Sequence, residues 1–181
     1  MSKHLFEQFK SGKRFCVEVG YDRALNEIFL NIKEFISEKL IYTSLSESSS
    51  IPKDFEWLGR TLAKQGIVLP KYVAQHLVCE RMFGGSNATD HHPEYVVTEL
   101  EKELLRLGFR QLLLEDSFPI PEKSIWLKGL ESADDEIRVV NSPLFQVVFS
   151  VDAFVNTADI VSNSAEMTET DMCALMKRFL V

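Results

Sequence analysis

Apolar and polar residues alternate early in the chain, with Phe15, Val17 and Val19 on one face and Cys16 and Glu18 on the other. A period of two is the mark of a strand with one buried face. Gly20-Tyr21-Asp22-Arg23 follows as a turn, because glycine takes positive φ freely and an aspartate side chain can bond its own backbone. Ile28, Leu30 and Ile32 mark a second strand, and residues 40–45, rich in Ile, Tyr and Thr, mark a third. The pattern predicts a three-stranded antiparallel meander that begins at Phe15.

The serine-rich stretch 44–50 reads as a loop leading into Pro52, and Phe55, Leu58 and Leu62 then recur at helical spacing until Gly66. Leu69-Pro70 opens a second helix to Phe83, with Val73, Leu77 and Val78 apolar. Residues 84–90 form the strongest breaker in the chain, so 84–92 is the expected boundary between an N-terminal module, 1–83, and a C-terminal one, 93–181. Pro93 is expected to begin a third helix with the stripe Val97, Leu100, Leu104 and Leu107, ended by Gly108. Strands are expected at 111–114, 124–127, 136–140 and 145–151, whereas 153–164 has no clear period. Thr168 and Asp171 at N-cap-to-N3 spacing open a final helix with the stripe Met172, Leu175, Met176 and Phe179. This order predicts an α+β fold: antiparallel strands in two halves, with helices packed on one face of each. Successive strands without helical crossovers argue against a doubly wound parallel sheet.

Composition changes the picture modestly. With 181 residues, 45% apolar and 26% charged, the chain can bury a core without disulfides and is not a disordered or low-complexity segment. Three cysteines, Cys16, Cys79 and Cys173, are few and odd in number and read as buried free thiols of a cytoplasmic protein. Residues 1–12 lack the apolar run of a signal peptide, and no stretch approaches a membrane span. A net charge of −7 argues against direct nucleic-acid binding.

The charge is unevenly divided: residues 1–83 carry a net +2 and residues 84–181 a net −9. Glu115, Asp116, Asp134, Asp135 and Glu136 fall in or beside expected loops. They read either as solvated surface or as an acidic face that steers a basic protein partner, such as a nucleic-acid-binding protein, onto this one. A small acidic interaction module of inhibitor or immunity type is the leading functional expectation. Packing of the basic half on the acidic half of a second copy, as a homo-oligomer, is compatible with it.

One constellation bears on chemistry. His76, Cys79 and Glu80 share a helical face at i, i+3 and i+4, and Asp90, His91, His92 and Glu94 follow within folding-back distance. His76, Glu80 and one of His91 and His92 would supply three N/O ligands, the donor set of a catalytic zinc with an open position. A metal-dependent enzyme built on them is the alternative function. Against it stands an ordinary surface pair of His76 with Glu80, with Cys79 facing the core. Cys79 with His91 or His92 could also form a thiolate–imidazole pair, although a mid-helix cysteine is poorly placed to attack. Asp22 and Arg23 either recognise a ligand or close a turn in which Arg23 pairs with Glu27. Trp57 and Trp126 read as core or as interface anchors. The phosphate-loop, dinucleotide, zincin, C-x-x-C and G-x-S-x-G signatures are all absent.

The alternating strand from Phe15, the Gly20-Tyr21-Asp22-Arg23 turn, the second apolar strand and the Gly-Ile-x-Leu-Pro run of Gly66 to Pro70 are together similar to short, uncharacterised bacterial proteins. The resemblance covers residues 15–70 and implies a bacterial or mobile-element context and a β-rich N-terminal module. It brings no activity, cofactor or site residue.

Overall fold

The computed structural model describes residues 1–84 and 87–113 and, further on, the strands 124–129, 136–141, 146–153 and 156–163. The fold is α+β and divides into two compact units, one built on Met1–Val97, the other on Thr98–Leu112 and the later strands. The division falls after Val97, not in the 84–92 breaker, which itself contains a strand of the first unit.

In the first unit the sheet order is β4-β3-β2-β1-β5, from β1 (Lys3–Lys10), β2 (Lys13–Asp22), β3 (Glu27–Glu34), β4 (Leu40–Thr43) and β5 (Thr89–His91). The expected meander is present as β2-β3-β4, antiparallel throughout. β1 extends it by an antiparallel pairing with β2, and β5 adds a parallel edge to β1. Val17, Val19 and Tyr21 of β2 and Ile28, Leu30 and Ile32 of β3 are buried on one face. They pack in one cluster with Phe55, Leu58 and Leu62 of α1 (Phe55–Gln65) and Val73, Leu77 and Val78 of α2 (Lys71–Phe83). Trp57 belongs to this core, and its indole N–H donates to Glu47 Oε2 at 2.7 Å.

Local chemistry explains where these elements stop. Asp54 caps α1 by accepting from Trp57 N at 2.8 Å, and Gly66 ends it at φ +64°. Gly20 lies inside β2, so the expected turn is displaced to residues 23–26. Asp22 closes that turn by accepting from Ala24 N and Leu25 N, and Glu27 pairs with Lys53, not with Arg23.

Pro93 does not start a helix. The chain runs extended beside β1, with His92 N donating to Leu5 O at 2.8 Å and Tyr95 N to Glu7 O at 2.7 Å. The helix α3 (Glu99–Arg106) starts at Thr98, whose side chain and that of Glu101 form a reciprocal capping box. Thr98→Ala is expected to cost about 1 kcal/mol in urea denaturation, because it frees a helix-terminal donor. In this second unit β6 (Arg110–Leu112), β7 (Ser124–Gly129), β8 (Glu136–Asn141), β9 (Gln146–Ala153) and β10 (Asn156–Asn163) form an antiparallel sheet in chain order. Trp126 of β7 is fully buried, as a core residue. The helix expected from Thr168, including Cys173, lies outside the described residues. Among the described residues, no helix is long and apolar enough to cross a membrane.

Candidate metal centre

The inner face of β1 departs from the apolar rule. Phe6 is flanked there by His4 and Gln8, and Ser2 precedes them; all four are buried. Buried polar groups need partners. Gln8 Oε1 accepts from Val68 N at 3.1 Å. His4 is surrounded by groups from two other elements.

The first is α2, which presents Tyr72, His76 and Glu80 at four-residue spacing along one stripe. Glu80 Oε1 lies 3.0 Å from His4 Nε2, and the His76 ring stands edge-on to that of His4 at 5.3 Å. The second is β5 and its continuation. The parallel register sets Asp90 opposite His4, and Asp90 Oδ2 is 3.6 Å from His4 Nδ1. His92 Nε2 is 3.1 Å from the same Nδ1. Donor atoms of His4, His76 and Asp90 all lie within 4.8 Å of one another. A tetrahedral zinc with bonds of about 2.1 Å spaces its ligand atoms about 3.4 Å apart, so the His76 and Asp90 side chains would have to draw in towards the buried His4 to hold an ion.

Burial, followed by the neighbouring His4 and His76, pushes the His92 pKa below its ordinary value, against the opposing pull of Asp90. The neutral imidazole this favours is the form that ligates metals. Tyr72 packs its ring 5.0 Å from His92, and burial raises its phenol pKa, which keeps the hydroxyl protonated. Behind Glu80, the Ser2 hydroxyl donates to Oε2 at 2.5 Å.

Of the expected ligands, His76, Glu80 and His92 come together. His91 does not: it is exposed, and strand alternation turns it away from the side taken by Asp90 and His92. Glu80 stands behind His4 and is not one of the three clustered donors. His4 and Asp90 are the additions. The signal for His4 was its phase, two residues before Phe6 on the same strand face. Cys79 is exposed and does not face the core. Cys16 is half-buried, and burial, then Glu7 and Glu18, raise its thiol pKa.

Glu115, Asp116, Asp134 and Asp135 lie outside the described residues, and Glu136 is the first residue of β8, paired across from Gly129 and Asp152. On the opposite face of the first sheet, a cavity of about 260 Å³ is lined by Lys3, Glu18, Glu27, Phe29 and Lys53 among others. Its charged groups engage one another, Lys3 with Glu18 at 2.8 Å and Lys53 with Glu27 at 3.1 Å. Among the described residues, the histidine cluster is the site with convergent donors. No protein-family model, curated protein or solved structure matches the chain.

Proposed function

We propose that this protein binds a divalent transition-metal ion of the zinc class through His4, His76 and Asp90 and works as a metal-dependent enzyme. The observation that carries the reading is the convergence of three ligand-type donor atoms, from β1, α2 and β5, within 4.8 Å. Two histidines and one carboxylate form a set that suits zinc and leaves a coordination position free. His76 is exposed and the Asp90 side chain about half so, which gives water and substrate access to that position. A zinc-bound water there would have its pKa lowered towards neutrality, the chemistry of metal-assisted hydrolysis. The interaction-module reading is supported by the charge division of the chain alone, whereas the metal reading is supported by placed side chains.

Titration calorimetry and thermal melting of tag-free, chelator-treated protein with zinc chloride test the reading. One ion per chain and a raised melting temperature are expected. His76→Ala and Asp90→Asn should each weaken binding by at least about tenfold without unfolding the protein, since both side chains are solvent-accessible. Absence of both heat and thermal shift in the wild-type protein would remove the proposal.

A further inference from the structure

We propose that Glu80 is a positioning residue: it holds the buried His4 ring with its proton on Nε2, so that Nδ1 is the atom that meets the metal. The metal's part in this rests on the proposed function, but the proton placement stands on geometry of its own.

A carboxylate has only acceptors, so the His4 nitrogen 3.0 Å from Glu80 Oε1 must be the donor. The carboxylate cannot easily swing away. Its other oxygen accepts from the Ser2 hydroxyl, and Ser2 is itself tied to Tyr21, through Ser2 N to Tyr21 O at 3.1 Å and Tyr21 N to Ser2 Oγ at 3.3 Å. Nor can the His4 ring flip without loss, because it is fully buried and a flip would turn a C–H towards the carboxylate. The chain Tyr21–Ser2–Glu80–His4 thus fixes one tautomer from the backbone of β2 outward.

With Nε2 protonated, Nδ1 presents a lone pair to the cluster. It faces His92 Nε2 at 3.1 Å and the Asp90 carboxylate oxygen at 3.6 Å. A lone pair and a carboxylate at that separation repel unless positive charge lies between them. The His92 N–H supplies some of it, and a divalent ion supplies it in full. A carboxylate behind a ligating histidine also raises the basicity of the ligand, and losing such a partner costs about 10–100-fold in metal affinity.

Long-range ¹H–¹⁵N imidazole spectra at pH 8, with and without one equivalent of zinc, read the proton directly. His4 should appear as the Nε2–H form, and zinc should move its Nδ1 resonance while Nε2 stays protonated. Glu80→Ala should scramble the tautomer and weaken zinc binding by about 10–100-fold. Glu80→Gln should retain the tautomer and lose less affinity than Glu80→Ala, because its carbonyl still accepts from Nε2 and its amide can face Ser2, although the charge that raises the ring's basicity is gone. Ser2→Ala, a milder change that leaves every metal ligand in place, should lose affinity several-fold. A proton on Nδ1 in the metal-free wild type, or a folded Glu80→Ala protein with unchanged affinity, would overturn the role given to Glu80. A wild-type protein that takes up no zinc would instead overturn the metal reading, and the spectra would still decide the proton.

Discussion

Replacing His4 with alanine is expected to abolish zinc binding and to lower the unfolding free energy of the metal-free protein by about 2–4 kcal/mol. Two losses combine. The imidazole is fully buried, so its removal leaves a cavity under β1. The Glu80 carboxylate, with its side chain only 13% exposed, also loses the donor to Oε1 and keeps only Ser2 as partner. A largely desolvated carboxylate stripped of a partner is costly. His76→Ala is the informative contrast. Its side chain is exposed, so zinc binding should weaken by at least about tenfold while stability stays within about 0.5 kcal/mol of wild type. Urea unfolding of both chelator-treated variants, beside zinc calorimetry, separates the two contributions. Equal stabilities would show that His4 is no part of the packed core.

The second large effect comes from one methyl group. Gly20→Ala is expected to destabilise the first unit by about 1–3 kcal/mol, although alanine is normally the better residue in an extended segment. A Cβ at position 20 would stand 2.1 Å from the Ser2 carbonyl oxygen and 2.5 Å from the Phe29 ring. The ring can turn, but the carbonyl is backbone at the start of the β1–β2 pairing. Moving it disturbs the Ser2–Tyr21 bonds and, through them, the Ser2 hydroxyl that braces Glu80. Melting of the metal-free variant should show the destabilisation, and zinc titration should show a loss of affinity although no ligand has been touched. A variant that melts at or above the wild-type temperature would mean that Ser2 is free to yield.

Some of this architecture was legible in the sequence for a simple reason. Where inward positions are uniformly apolar, as in Val17 and Val19 or Ile28, Leu30 and Ile32, the period announces the strand. The helices α1 and α2 were equally plain, with apolar spacing ended by Gly66 and Gly84. β1 escaped because its inward positions are His4, Phe6 and Gln8, with Ser2 just ahead of them, and polar residues at three of these four positions erase the alternation. The residues that build the site are the ones that hide the strand carrying it. β5 is too short to show a period, and residues 92–95 follow β1 because of backbone bonds from His92 and Tyr95 to it, a tertiary cause that local composition does not record. The site itself was half legible. Helical spacing joined His76 to Glu80, but nothing local links either to His4, which is 76 positions from Glu80 and 88 from His92. Choosing His92 over His91 required knowing that Asp90 faces inward, and that depends on the pairing of β5 with β1.

Those separations also have a kinetic consequence. The β1–β2 and β2–β3 pairings join neighbouring strands through short turns, so their closure entropy is small. The parallel β1–β5 pairing becomes available only once two helices have carried the chain back to the far edge of the sheet. Non-local parallel pairing is slow for this reason. The histidine cluster is therefore expected to be completed after the meander and the helical layer, and hydrogen exchange should show its edge opening before the β2–β3 pairing. An ion held there would slow unfolding far more than it would speed folding, acting as a latch on a structure already built.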